Sequence, residues 1–189
     1  MHPVPTYVAL LRGVNVGGHN KVPMATLRQA LEASGLERVR TYIQSGNVVL
    51  DARMDDAAAV ATHVREVIAT SFGLDIATIA VASSAFAAVV AANPYPDETD
   101  HRRLHAIFLP SPLDDASREQ VRALQDAATQ KGTRDTCTVD GTVMYLHTPE
   151  GFGTSELAKA LSTKGRGIHR SGTARNWATV TALLALCES

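Results

Sequence analysis

The chain has 189 residues, 45% of them hydrophobic, and a formal net charge of −1. Such a composition excludes a disordered chain and supplies core for one domain or two small subdomains. The near-zero charge excludes a wholly cationic nucleic-acid binder while leaving room for a local basic patch. No apolar run reaches the ~18 residues of a membrane span. Met1-His2-Pro3-Val4-Pro5-Thr6 lacks the charged-then-apolar order of an export signal, so the expectation is a cytoplasmic protein with no membrane partner. Cys137 and Cys187 are too few and too far apart for a disulfide framework or a metal knuckle, and free thiols are expected.

Along the chain, Tyr7-Val8-Ala9-Leu10-Leu11 reads as a buried strand, followed by the glycine-rich stretch Arg12-Gly13-Val14-Asn15-Val16-Gly17-Gly18-His19-Asn20-Lys21. Pro23 suits a first helical turn, Met24, Leu27 and Leu31 recur at helical spacing, and Gly35 suits a left-handed cap. Residues 39–44 and 47–50 read as a hairpin about Ser45-Gly46. Asp55 and Asp56 suit a helix start, Val60, Val64, Val67 and Ile68 its buried stripe, and Gly73 its end. A strand over residues 76–81 precedes an alanine-rich helix capped by Ser83. Asn93-Pro94-Tyr95-Pro96-Asp97-Glu98 cannot form regular structure and marks a boundary.

The order of elements then restarts. Residues 104–109 read as a strand, and Val121, Leu124 and Ala128 stripe a helix begun by Asp114 and Asp115. Residues 135–139 and 142–146 form a hairpin about Asp140-Gly141, a type I′ signal. In place of a fourth strand, the second half offers Gly167 to Gly172 and a terminal helix capped by Thr173 and striped by Trp177, Val180 and Leu184. The expected fold is α+β: two ferredoxin-like halves, each strand-helix-hairpin-helix, with antiparallel or mixed sheets and helices packed on one face. The halves are residues 1–93 and 104–189, joined by a linker over 94–103. The residues expected to be buried are Val8, Leu10, Leu27, Leu31, Ile43, Val49, Val64, Ile68, Ile107, Leu124, Val143 and Trp177.

The runs from Tyr7 to Gly18, from Thr41 to Val49 and from Arg175 to Val180 together resemble the bacterial family known as domain of unknown function 1697. The resemblance spans nearly the whole chain and implies two related ferredoxin-like halves, with no established reaction. The family's last motif usually reads Thr-Thr-Arg-Asn-Trp-Asn-Thr, whereas this chain has Ala174 and Ala178 at its second and sixth positions. Arg175 and Asn176 are therefore the better candidates there.

Two readings of the glycine loop stand side by side. As a site, its backbone amides, Arg12 as a planar clamp, Lys21 as a point charge and the following helix N-terminus would hold an anion. As a connector, Asn15 and Asn20 would satisfy turn amides and Arg12 would pair with a carboxylate. About ten residues between strand and helix exceed the usual connection and favour the site. It is no nucleotide fingerprint, because the Walker pattern and Gly-x-Gly-x-x-Gly are both absent.

The candidate ligand-binding residues are Arg12, Asn15, Gly17, Gly18, Lys21, Ser45, Asn47, Arg175 and Asn176, lining a cleft between the halves that takes an anionic or phosphorylated small molecule. No catalytic residue, cofactor, metal or oligomeric state is assigned, and His101 and His105 lack a third ligand at metal-like spacing. The alternatives are a nucleic-acid-binding module and a non-catalytic oligomeric scaffold. The stretch from Leu157 to Cys187 holds Lys159, Lys164, Arg166, Arg170 and Arg175 and no acid, which favours nucleic acid. Aromatics at 5% of the chain, without a stacking run, oppose it.

Overall fold

The computed structural model describes residues 4–54, 56–163 and 172–189, which group into two compact units. The first holds residues up to Ala91 together with Thr181–Ser189, and the second spans Ala92–Val180.

The first unit runs β1 (Thr6–Leu11), α1 (Met24–Ala33), β2 (Glu37–Tyr42), β3 (Asn47–Asp51), α2 (Ala57–Phe72), β4 (Thr78–Ala82) and α3 (Ser83–Ala91). Its four strands lie in the order β2-β3-β1-β4, all antiparallel, which is the ferredoxin-like βαββαβ arrangement with one helix added. Tyr7, Ala9 and Leu11 of β1 face Leu27 and Leu31 of α1 and Val60, Val64 and Ile68 of α2 in one apolar core. The alternate residues Val8, Leu10 and Val49 are buried too, and α3 packs on β1 and β4 with Phe86 fully covered. Burial on both faces explains why β1 and β3 read as continuous apolar runs without alternation. Asp56 caps α2 by accepting from the Ala59 amide, and Gly73 ends it in the left-handed region. Pro23 lies at the cap of α1, one residue ahead of the helix.

The second unit repeats the order: β5 (Leu104–Phe108), α4 (Asp115–Gln130), β6 (Thr136–Asp140), β7 (Val143–His147), α5 (Glu156–Ser162), β8 (Thr173–Asn176) and α6 (Trp177–Cys187), whose end from Thr181 groups with the first unit. The sheet order is β6-β7-β5-β8, again antiparallel. Ile107, Leu109, Val121, Met144, Leu146, Leu157 and Leu161 form its helix-side core. The α5 N-terminus is tied down by a buried pair: Asp135 accepts from the Ser155 hydroxyl at 2.8 Å, and Ser155 Oγ accepts from the Ala158 amide at 2.9 Å.

Four details depart from the sequence expectations. Thr173–Asn176 is a fourth strand hydrogen-bonded to β5, so the second unit completes the same sheet as the first, and the α6 cap is Asn176, not Thr173. Pairing with β5 draws Thr173 into the sheet. The second hairpin closes at Asp140 and Val143 with Gly141-Thr142 as its loop, one residue later than expected. Only Gly141 there has positive φ, which fits a type II′ turn rather than I′. Ile43, expected in the core, is 53% exposed because β2 stops at Tyr42, and the four-residue loop that follows puts Ile43 at φ 49°. Leu124 is half-buried; the other ten residues of the expected core are buried. Lys164, Arg166 and Arg170, and the Gly167-to-Gly172 stretch apart from Gly172 itself, lie outside the described residues.

Asn176 Oδ1 accepts from the Thr179 amide at 2.9 Å. Asn176→Ala removes this cap, and a loss of about 1 kcal/mol in urea unfolding is expected, with Asn176→Asp retaining most of the stability.

Candidate functional site

The glycine loop leaves β1 at Leu11 and is pinned at both roots by the core side chains Val14 and Val22. Between them Asn15 staples the loop. Its Nδ2 donates to Val22 O at 2.9 Å and Gln44 O at 2.7 Å, and its Oδ1 accepts from the Val22 amide at 2.9 Å. Asn20 Nδ2 donates to Gly13 O, and the Asn15 amide donates to Asn20 O. Gly13, Asn15, Gly17, Gly18 and Asn20 all adopt left-handed φ, from 48° to 79°. Asparagine and glycine are the residues that tolerate this conformation, so the composition of the loop matches its path.

Beyond the staple, Gly17, Gly18, His19 and Lys21 are exposed, and Val16 is 63% exposed. Arg12 is half-buried at the loop's start, its amide donating to Ala77 O. A Cβ at Gly18 would meet nothing within 4 Å, so the backbone there is open to an approaching group. The result is a rigidly rooted loop with an exposed tip carrying two glycine amides, an imidazole and an ammonium. The loop holds no acidic residue, and exposed glycine amides beside an ammonium are groups that suit an anion. His19 is a loop residue that the sequence reading passed over; its signal was its place beside the two glycines.

Ser45 and Asn47 stand behind the loop. Asn47 is fully buried and donates to Tyr42 O and Ser45 Oγ, both at 3.2 Å, so it closes the β2–β3 turn. Gly46 is the unforeseen member: its carbonyl accepts from the Leu11 amide at 2.8 Å, and a Cβ on it would lie 2.5 Å from Val14 Cγ2 and 2.6 Å from Leu11 Cβ. Ser-Gly-Asn reads locally as a turn; its packing against the loop's roots requires the fold.

Arg175 and Asn176 belong to the second unit. Arg175 is 8% exposed in β8, donating from Nη1 to Thr173 Oγ1 at 2.7 Å and to Ala174 O at 2.9 Å, and burial pushes its guanidinium down to about 10. Trp177 is buried against Tyr145, with ring centroids 6.2 Å apart. His105 lies in β5, its ring stacked on Phe152 at 4.1 Å and its buried Nδ1 without a hydrogen-bond partner among the described residues, and burial pushes it down to about 4. Among the described residues no group of three His, Cys, Asp or Glu side chains is placed to hold a metal. Both cysteines are free thiols, and no helix among the described residues is long and apolar enough to cross a membrane.

One grouping carried no sequence signal. Glu98 accepts from His147 at 2.8 Å, the Tyr95 ring lies 4.9 Å from the imidazole, and these residues line a hollow of about 290 Å³ with Pro94, Pro96 and Asp97. The His147 hydrogen bond, followed by the Asp100 amide, holds the Glu98 carboxyl below its ordinary range. With imidazole and carboxylate satisfied by each other, the grouping braces the proline-rich segment onto β7.

No curated protein matches the chain. Among solved structures it is similar to the conserved bacterial protein SP0830 from Streptococcus pneumoniae, at 26% identity over 98% of this chain and 99% of that one, with a TM-score of 0.73. Residues 4–145, which include the glycine loop and the Ser45-Gly46-Asn47 turn, match the family described as "Protein of unknown function (DUF1697)", and the chain belongs to that family.

Proposed function

We propose that the glycine loop of the first unit binds a phosphorylated or otherwise anionic small molecule. The observation that carries this reading is the combination of a braced root with an exposed tip: Asn15 makes three hydrogen bonds holding the loop, while Gly17, Gly18 and Lys21 stay exposed. A loop already ordered loses little entropy on binding, which is how backbone amides become useful anion donors. In this reading Arg12, Lys21 and the Gly17 and Gly18 amides contact the ligand. Asn15, Ser45 and Asn47 hold the loop's shape, and Arg175 and Asn176 order β8 and the start of α6 in the second unit.

Thermal unfolding against pyrophosphate and a panel of sugar phosphates and nucleotides tests it. A ligand at a hundred times its Kd stabilises by about 2.7 kcal/mol, a shift of several degrees. Lys21→Ala removes an exposed side chain, so the unliganded melting temperature should stay constant while the shift shrinks, and Arg12→Ala should abolish it. Absence of any shift across the panel, or an undiminished shift in both variants, overturns the proposal. Salt-dependent oligonucleotide binding indifferent to Lys21 would instead favour a nucleic-acid partner.

A further inference from the structure

A hollow in the second unit lies between α4 and the edge strand β6. It measures about 250 Å³, and its polar lining comes from Arg118, Arg122, Gln125 and Thr138, its apolar lining from Val121, Cys137 and Val139. That volume falls just below the roughly 300 Å³ at which drug-sized sites begin, so it suits a small acid or a single side chain. Among the described residues no carboxylate lines it.

The two arginines are four residues apart on α4, a spacing at which like charges face each other at a cost. Arg118 donates through Nε to Leu113 O at 3.1 Å, which fixes the guanidinium plane and leaves its Nη groups for a ligand. Among the described residues it has no carboxylate partner. The pairing of Arg122 with Glu119 at 3.3 Å joins side chains about three-quarters exposed, a contact weak enough to yield to a ligand.

Gln125 turns its Oε1 to the Cys137 amide at 2.7 Å, so its Nε2 remains a donor. Because Asp140 and Val143 close the hairpin, pairing alternates so that the N–H of Val139, like that of Cys137, turns away from β7. Arg118, Arg122, the Gln125 Nε2 and the Val139 N–H are thus the proton donors beside the hollow. The Cys137 thiol, pushed up to about 12 by burial, stays neutral and adds no opposing charge.

We infer that this hollow binds a carboxylate carried on a short apolar stem, with Arg118 and Arg122 on the carboxylate and Val121 and Val139 against the stem. The carboxylate could come from a free organic acid or from an acidic side chain of an extended segment lying along the β6 edge. The shared chemistry is the same, and the site is independent of the glycine loop.

Titrating the 15N-labelled full chain with benzoate tests the inference, following the Gln125 side-chain amide and the Val139 backbone amide. Saturable shifts of both signals are expected, with far weaker responses to the neutral isostere benzamide and to inorganic phosphate, which lacks the stem. Arg122→Gln, at an exposed position, should weaken benzoate at least about tenfold, the scale of one charge-assisted hydrogen bond. Arg118→Lys keeps the charge but loses the planar fork and should weaken it as well, with unchanged far-UV spectra and melting temperature showing intact folding. An acetylated Val-Glu-Val amide separates the sources. Tighter binding than benzoate, with slowed exchange of the Val139 amide, identifies a peptide segment, and weaker binding identifies a free acid. Absence of saturable shifts, equal binding of benzamide, or full affinity in both variants overturns the inference.

Discussion

Gly46→Ala is expected to destabilise the protein by about 2–5 kcal/mol, the sum of a small-to-large clash and a left-handed backbone imposed on alanine. The added methyl would sit 2.5 Å from Val14 Cγ2 and 2.6 Å from Leu11 Cβ, and Gly46 has φ +73°. Neither neighbour is the loose end of a long side chain: Leu11 is a fully buried residue of β1, and Val14 is a buried root of the glycine loop. Relief therefore requires movement of the backbone that also accepts the Leu11 amide. Gly73→Ala is the internal control, since Gly73 has φ +65° but open space around its Cβ position. It should cost only the backbone term, about 1–2 kcal/mol. Urea unfolding of the two variants beside the parent checks the argument, and equal losses would show that the clash is absorbed without strain. Because Leu11 and Val14 lead into the loop, Gly46→Ala should also reduce any ligand-dependent thermal shift.

The second large effect is pH dependence through His105. Burial pushes this imidazole down to about 4, against the 6.5 usual for an exposed histidine. Between those values the unfolded chain takes up a proton that the folded chain refuses, so stability is fully present above about pH 6.5 and declines as pH falls toward 4. A shift of that size corresponds to about 3 kcal/mol. His105→Phe keeps a planar ring to stack on Phe152 and removes both the proton site and the buried Nδ1. The parent should lose about 3 kcal/mol more than the variant between pH 7 and pH 4 in paired urea titrations. The carboxylates of Glu98 and Asp100, held low chiefly by side-chain hydrogen bonds from His147 and Arg102, also lose stability in acid, but they are common to both proteins and cancel in the difference. Parallel pH profiles would mean that the imidazole is solvated in the folded state.

Local sequence physics determined the repeat itself. Apolar spacing at Met24, Leu27 and Leu31 and at Val60, Val64 and Ile68 places a buried stripe on each helix, and Asp56, Asp114, Gly35 and Gly73 act within one turn of their own positions. These signals are legible because their partners are near in sequence. The glycine loop was legible for the same reason, since glycine permits the positive φ that Gly17 and Gly18 adopt.

What needed the tertiary structure was every feature whose partner is remote. Thr173–Asn176 is short and polar, and becomes a strand only because β5 offers a free edge. For Asn15 the loop's length favours a ligand, and for Asn47 the Ser-Gly-Asn run is ordinary turn chemistry. In the fold Asn15 donates to Val22 O and Gln44 O, and Asn47 donates to Tyr42 O across the β2–β3 loop. Arg175, charged in the sequence, is buried with backbone and hydroxyl acceptors, a state no local pattern announces. The hollow beside Arg118 and Arg122 arises only where α4 lies over β6, because a cavity is a property of two packed elements and neither carries it alone.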